Sequence, residues 1–298
     1  MRAATIRLLL ISIFTFPLLL VSQSIQQIKS CVSFIYLPDS KGSLRPNGTG
    51  FFIGVDDTVR QRTYIYTITS RHVLWDTASK SFVRETWLRL NTKSGDASFV
   101  RMSMTTKGVR RNVFTHADST VDLVAVLGIP DEDKYDFNYI PSEIVRTSQD
   151  LKRLGLGEGT DIFFPALFVP HIGEHKNYPI VRFGKLALVS DERIMWDNQL
   201  QRLFLIESIS IGGHSGAPVF AWFEPLVKPG TMLSHEEKRI RLIGVMKGFF
   251  ELERPIGVRE TRIIPIFASH TGISAVVPVD LMQEILFSAE ATDVRNRD

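Results

Sequence analysis

Gly-Gly-His-Ser-Gly-Ala-Pro, residues 212–218, places one serine hydroxyl inside a glycine-rich turn. The backbone amides of such a turn can bind an oxyanion, and a serine beside them is the arrangement that acyl transfer needs. A nucleophilic serine also needs a base to accept its proton and a third group to orient that base. The stretch therefore predicts a histidine and an acid elsewhere in the chain.

Two upstream segments supply these groups. His72 ends a run rich in Tyr, Ile and Thr (64–72), and Asp122 directly precedes the apolar run 123–126. Both runs have the composition of buried strands. The candidate catalytic residues thus follow one another along the chain as His72, Asp122 and Ser215.

Five motifs in register resemble those of the trypsin-like serine peptidases of chymotrypsin fold, and most closely the disulfide-free bacterial high-temperature-requirement type. Together they extend the resemblance over most of the chain, from about residue 32 to residue 287. The motifs are Gly-Thr-Gly-Phe-Phe-Ile-Gly (48–54), Thr-Ser-Arg-His-Val-Leu (69–74), Val-Asp-Leu-Val-Ala-Val (121–126), Gly-Gly-His-Ser-Gly-Ala-Pro-Val (212–219) and Leu-Ile-Gly-Val (242–245).

The resemblance implies an all-β fold of two six-stranded antiparallel β-barrels, with the active site between them and a short C-terminal helix. Residues 25–140 would form the N-terminal barrel with His72 and Asp122. The C-terminal barrel, which carries the serine, and the terminal helix would occupy residues 141–287. Residues 288–298 are then a tail, which is too short for the peptide-binding PDZ domain of many high-temperature-requirement proteases.

The same resemblance implies roles for individual residues. Ser215 would be the nucleophile, His72 the general base, and Asp122 the acid that orients the imidazole. Asp118 is a second candidate for the acid, but Asp122 is preferred because it directly precedes an apolar strand, as the family pattern requires. The backbone amides of Gly213 and Ser215 would form the oxyanion hole.

Substrate preference should depend on two segments that would line the pocket for the residue before the cleaved bond. Ile209 stands six positions before the serine, where trypsins carry an acid, so we expect cleavage after apolar residues rather than after Lys or Arg. The expected pocket residues are Ile209, Ser210, Ile211, Met246, Lys247 and Gly248.

His214 occupies the position next to the serine where relatives usually have Asp or Asn. Activation by a salt bridge from a newly formed N-terminus is therefore not expected. Two alternatives remain for its side chain. It titrates near neutral pH and perturbs the oxyanion loop, or it faces solvent.

Short runs rich in Val, Ile, Phe, Tyr and Thr recur between Gly, Asp, Asn and Pro residues. This spacing predicts antiparallel β structure rather than βαβ units. Residues 128–158 are expected to connect the two barrels through one short helix, and residues 278–287 show apolar residues at helical spacing. The predicted strands are 31–36, 50–55, 63–69, 86–90, 98–105, 123–127, 161–168, 181–189, 203–208, 217–222, 239–250, 261–266 and 273–277.

Residues 1–24 combine two arginines, an apolar run and small residues, which predicts a signal peptide and an exported protein, periplasmic or secreted. The apolar run 8–21 is shorter than the roughly 20 residues that span a bilayer, so an uncleaved membrane tether is the less favoured alternative. Cys31 is the single cysteine, which predicts a buried thiol and excludes a disulfide within the chain.

The expected partners are protein or peptide substrates, while the oligomeric state stays open. The formal net charge of +3 falls to +1 without the two arginines of residues 1–24, which does not favour nucleic-acid binding. No cofactor or metal is expected, because Pro170, Gly173 and Pro179 argue against the helix that the zinc pattern His-Ile-Gly-Glu-His (171–175) requires.

Two other functions remain open from the sequence. One is a catalytically inactive binding or adhesion protein that keeps the barrels. The other is an esterase of the α/β-hydrolase fold, because Gly-His-Ser-Gly-Ala (213–217) resembles a nucleophile elbow. That fold needs the order serine, acid, histidine, and only His235 and His270 follow the serine.

Overall fold

The computed structural model describes residues 25–106, 109–110, 112–145, 147–223, 240–255 and 266–297. Twelve strands belong to the first half of the chain. They are β1 (Val32–Pro38), β2 (Leu44–Asp57), β3 (Arg62–Thr69), β4 (Trp75–Asp76), β5 (Ser81–Phe82), β6 (Glu85–Asn91), β7 (Ala97–Ser103), β8 (Thr105–Thr106), β9 (Val109–Arg110), β10 (Val113–Thr115), β11 (Val124–Leu127) and β12 (Ile140–Pro141).

The first half is built around an eight-stranded sheet in the order β10-β11-β3-β2-β1-β6-β7, with β12 paired in parallel to β2. Within the described residues, the end strands β7 and β10 do not pair with each other. A closed six-stranded barrel was the expectation for this half. The difference arises because the residue pattern marks each strand but does not encode which edge strands meet.

The second half contains β13 (Asp161–Ala166), β14 (Ile180–Val189), β15 (Ile194–Trp196), β16 (Gln199–Gln201), β17 (Phe204–Glu207), β18 (Pro218–Trp222), β19 (Ile240–Pro255) and β20 (Ile266–Pro278). Six of these strands close a barrel in the order β13-β14-β17-β20-β19-β18, and all of its pairs are antiparallel. Of the predicted strand 261–266, only residue 266 lies within the described residues.

The barrel closes because alternate residues of its strands are apolar and point inward. Ile162, Phe164 and Ala166 of β13 and Val219 and Ala221 of β18 are buried in one core cluster. The predicted all-β fold with an antiparallel six-stranded barrel is confirmed. It excludes the α/β-hydrolase alternative, which needs a mostly parallel sheet flanked by helices.

Helices are few among the described residues. Residues 25–30 form α1, followed along the chain by α2 (Ser148–Arg153), α3 (Val279–Leu286) and α4 (Ala289–Arg297). Short 3₁₀ turns cover Arg71–Leu74, Ser142–Ile144 and Val169–His171. The expected short helix between the two halves is α2, and the expected C-terminal helix is α3, whose apolar face is buried.

The segment expected to be a tail forms α4 and packs back onto the first sheet. Arg295 donates through Nη1 to the Tyr66 hydroxyl at 2.6 Å and to the Leu286 carbonyl at 2.7 Å. Tyr64 donates to the Arg295 carbonyl at 2.8 Å. The sequence did not indicate this helix because its residues are mostly polar and its stability comes from distant partners.

Cys31 is buried and unpaired, and burial raises the pKa of its thiol to about 12. The predicted signal peptide, residues 1–24, lies outside the described residues. In the part of the chain that the structure describes, no helix has both the length and the apolar character needed to cross a membrane.

Candidate active site

His72 and Asp122 are joined by two hydrogen bonds. His72 lies in the 3₁₀ turn that follows β3, where its backbone amide donates to Oδ1 of Asp122 at 2.9 Å. Its ring nitrogen Nδ1 lies 2.7 Å from Oδ2 of the same carboxylate. An ionised carboxylate can only accept, so Nδ1 carries the proton and Nε2 is left as an acceptor.

Asp122 is buried between the imidazole of His72 and the ammonium of Lys247. The Lys247 ammonium lies 2.9 Å from Oδ2, and the residue exposures are 8% for both Asp122 and Lys247. Burial raises the pKa of the Asp122 carboxyl, but hydrogen bonds and charge attraction from His72 and Lys247 outweigh burial and hold that pKa at about 2. Asp122 is therefore ionised at neutral pH.

Asp118, the alternative acid, takes different partners. Its carboxylate accepts from the Thr120 hydroxyl and amide and from Arg193, at 2.7, 2.9 and 3.1 Å. These hydrogen bonds outweigh a smaller effect of burial and lower the pKa of Asp118 to about 2. The structure thus brings Asp122, and not Asp118, to the imidazole of His72.

Ser215 lies in the loop between β17 and β18, on the opposite half of the molecule from His72. Its hydroxyl donates to the backbone carbonyl of Lys247 at 3.0 Å. Within the described residues, no hydrogen bond joins this hydroxyl to His72. Lys247 links Ser215 to Asp122 instead, because its carbonyl accepts from Ser215 and its ammonium donates to Asp122.

The turn before Ser215 leaves two amides unused. The His214 amide donates to the Ile211 carbonyl at 3.1 Å, and Gly213 has φ +98°, which together define a type II turn. In the described part of the chain, the amides of Gly213 and Ser215 donate to no protein acceptor. These are the two amides that the family resemblance implies for the oxyanion hole, and they remain available for one.

Thr49 on β2 holds this loop from the other half of the molecule. Its hydroxyl donates to the Gly213 carbonyl at 2.7 Å and accepts from the Leu167 amide at 3.0 Å. Its amide donates to the Ser215 carbonyl at 2.9 Å. Thr49 lies in the Gly-Thr-Gly motif, but the sequence does not reveal its role, because hydrogen bonds that cross the fold leave no local pattern.

Gly216 fits where no side chain can. Its φ is +86°, and an added Cβ would lie 2.1 Å from the Thr49 carbonyl oxygen and 2.2 Å from Oγ1 of Thr69. Its amide donates to the Met246 carbonyl at 2.8 Å, which also accepts from the Ser70 hydroxyl at 2.9 Å. Close contacts between the two halves therefore set the backbone on both sides of Ser215.

Both expectations for His214 are wrong. Its side chain is fully buried, and its ring packs edge-on against Phe164 with centroids 5.6 Å apart. Nδ1 accepts from the Ile211 amide at 3.2 Å, while Nε2 has no partner among the described residues. Burial, with a smaller contribution from the Arg182 charge, lowers the pKa of His214 to about 4, so the ring is neutral at neutral pH.

The predicted pocket residues separate into two groups. Ile209 is 52% exposed, and Ile211 and Gly248 are partly exposed, which suits a substrate contact. Ser210 is buried, and its amide donates to Nε2 of His270 at 3.0 Å.

Two predicted pocket side chains turn away from such a surface, and this corrects the prediction. The Met246 side chain belongs to the core of the closed barrel. The Lys247 side chain is bound to Asp122. Neither change is visible in the sequence, because the direction of a strand side chain depends on local irregularities of pairing.

The zinc-like pattern is not assembled as a metal site. His171 ends a 3₁₀ turn and stacks on Tyr178, while His175 is exposed. Among the residues that the structure describes, no group of three or more His, Cys, Asp or Glu side chains lies close enough to hold a metal ion.

Comparisons with known proteins give similarity at the level of structure. No protein-family model and no curated protein sequence matches the chain. The MamO protease domain from Magnetospirillum magneticum is 15% identical, with a TM-score of 0.47, over 87% of this chain and 96% of that one. The serine protease AL20 from an extremophilic microorganism is 11% identical, with a TM-score of 0.45, over 86% and 94%.

A third solved structure, Rv3671c from M. tuberculosis, is 13% identical, with a TM-score of 0.42, over 88% of each chain. Each of the three alignments covers most of both chains, at a TM-score below 0.5. At these identities the similarity does not carry an activity or a substrate over to this protein.

Proposed function

We propose that this protein is a serine endopeptidase that hydrolyses peptide bonds through an acyl-enzyme. Ser215 is the nucleophile, His72 the general base and Asp122 the acid that orients it. The observation that carries the proposal is the paired contact of His72 with Asp122, at 2.7 Å from Nδ1 and 2.9 Å from the amide. This contact fixes the tautomer in which Nε2 can accept a proton.

In the proposed reaction the Ser215 hydroxyl leaves the Lys247 carbonyl by rotation about χ1 and donates its proton to Nε2 of His72. Oγ attacks the substrate carbonyl carbon, and the resulting oxyanion accepts from the amides of Gly213 and Ser215. The imidazolium then protonates the leaving amine as the C–N bond breaks. Water, deprotonated by the same imidazole, hydrolyses the acyl-enzyme and restores Ser215.

Each part of the site supplies a separate contribution. A buried, ionised Asp122 stabilises the imidazolium, and each oxyanion donor is worth about 3 kcal/mol of transition-state stabilisation. No cofactor or metal takes part in this reaction. The substrates we propose are proteins or peptides met outside the cytoplasm, cleaved after an apolar residue that contacts the exposed side chain of Ile209.

A fluorophosphonate probe tests the activity directly, because it phosphonylates a serine only when a base activates it. We expect the probe to label Ser215 in the wild-type chain, with the site located by peptide mapping. Ser215→Ala and His72→Ala should not be labelled. Digestion of an unbiased peptide library, with Ser215→Ala as control, then reports the preferred residue before the cleaved bond.

A non-catalytic binding protein is the second candidate, and one observation favours it. The Ser215 hydroxyl is bonded to the Lys247 carbonyl rather than to His72, and Asp122 already has a buried cation as partner. A wild-type chain that is folded but neither reacts with the probe nor cleaves any peptide of the library would support this candidate and contradict the first.

A further inference from the structure

Lys247 contributes both its side-chain ammonium and its backbone carbonyl to the site. Its ammonium lies 2.9 Å from Oδ2 of Asp122, the same oxygen that His72 contacts through Nδ1. Its backbone carbonyl accepts the Ser215 hydroxyl at 3.0 Å. The side chains of Lys247 and Asp122 are each 9% exposed, so this ion pair is largely shielded from water.

A β-bulge explains how one residue reaches both groups. In the pairing of β19 with β20, Met246 lies opposite Val276 and Gly248 opposite Ala275, which leaves Lys247 without a partner in the ladder. A bulge of this kind redirects a side chain and releases a backbone carbonyl from strand pairing. The Trp196 ring, 5.5 Å from the ammonium, covers the lysine from the β15–β16 hairpin.

We propose that Lys247 is a positioning residue of the active site, whose ammonium shares the Asp122 carboxylate with His72 and thereby extends activity to lower pH. The inference rests on the proposed protease function. When His72 takes up the serine proton, its positive charge develops beside a carboxylate that already has a cation. The imidazolium is therefore stabilised less than beside an unshared carboxylate, and the free base persists to lower pH.

Other charges near the site already have partners. Arg71, on the same turn as His72, stacks on Trp75 at 4.4 Å from its ring and donates to the Ser119 carbonyl. Asp118, on the loop before β11, pairs with Arg193 at 3.1 Å. Among the described residues, Lys247 is thus the cation that contacts the Asp122 carboxylate while His72 is neutral.

The test measures the rate of fluorophosphonate labelling of Ser215 between pH 4 and pH 9 in wild type, Lys247→Met, Lys247→Gln and Lys247→Arg. Met and Gln keep most of the side-chain volume and remove the charge. Two neutral variants are made so that the test can still be carried out if one of them does not fold. Circular dichroism verifies the folding of each. For the neutral variants we expect the acid midpoint of the rate profile to move upward by about one pH unit. Lys247→Arg should keep the wild-type midpoint.

A second readout does not need the reaction. In Ser215→Ala and in Ser215→Ala with Lys247→Met, the His72 ring proton resonances are followed by NMR against pH. The ring should take up its proton at higher pH in the double variant. This measurement reports the effect of the Lys247 charge on His72 even if the labelling reaction is slow.

The outcomes separate the two proposals. A wild-type chain that is not labelled at any pH contradicts the protease function. Labelling of the wild type, with neutral variants that have a lower plateau but an unchanged midpoint, would show that Lys247 only supports the fold, and the inference would be wrong. An upward shift in the neutral variants, absent in Lys247→Arg, supports it.

Discussion

The Ser215 hydroxyl donates to the backbone carbonyl of Lys247 at 3.0 Å, and the ammonium of the same lysine lies 2.9 Å from Asp122. The proposed nucleophile is thus bonded to a carbonyl in the resting structure, and must rotate to reach the imidazole. Side-chain rotations take place on a picosecond to nanosecond timescale, which is far faster than the turnover of a typical enzyme.

The proposed catalytic residues should behave as one unit. Ser215→Ala and His72→Ala are each expected to lower kcat/KM by roughly 10⁶-fold, because the serine attacks a peptide bond only when the histidine accepts its proton. The double variant should be no slower than either single variant. Measured kcat/KM values that fall multiplicatively would show that the two residues act independently.

Gly216 and Gly212 provide a matched pair for the backbone of the serine loop. Gly216→Ala should destabilise the protein by about 3 kcal/mol or more, since the new Cβ meets a backbone oxygen at 2.1 Å and the residue has φ +86°. Gly212→Ala, where an added Cβ meets nothing within 4 Å, should leave the free energy of unfolding almost unchanged. Urea unfolding of both variants tests the contrast, and equal stabilities would contradict it.

Asp122 should make the protein sensitive to acid. Its pKa of about 2 lies below the ordinary 3.8, so its ionised form stabilises the folded state above pH 4. About 2 kcal/mol of this stability is lost as the pH falls toward 2. Urea unfolding at pH 5 and pH 2 should therefore show a smaller pH dependence for Asp122→Asn than for wild type, and an identical dependence would exclude this contribution.

Because of His214, the folded protein should become less stable at mildly acidic pH. Its pKa of about 4 lies below the ordinary 6.5, so between these pH values the unfolded chain binds a proton that the folded chain does not bind. We expect a loss of about 3 kcal/mol between pH 7 and pH 4, absent in His214→Asn. Asn keeps an acceptor for the Ile211 amide, whereas His214→Leu should be less stable at every pH. An unchanged pH dependence in the Asn variant would contradict this prediction.

Ile209 should control the preferred residue before the cleaved bond. The wild type is expected to cleave peptides with Val or Leu at this position at least tenfold faster than matched peptides with Arg, as kcat/KM measurements would show. Ile209→Asp places a carboxylate there and should raise cleavage after Arg. Comparable turnover of the arginyl and leucyl peptides by the wild type would disprove the assignment of this pocket.

Much of the architecture follows from local patterns in the chain. Strands such as β3 and β14 begin and end within a residue or two of the predicted positions, because alternating apolar residues are recognisable without knowing what they pack against. The sequence also indicated His72, Asp122 and Ser215 as candidates, since each stands in a short motif; the structure joins His72 to Asp122, while their catalytic roles stay a prediction.

Long-range packing accounts for the features that no local pattern contains. The bulge at Lys247 places its ammonium on Asp122, the type II turn buries His214, and Arg295 anchors α4 to Tyr66. Each of these depends on partners far apart in the chain. Their free energy arises only when both halves of the protein are folded together, so neighbouring residues carry no signal of it.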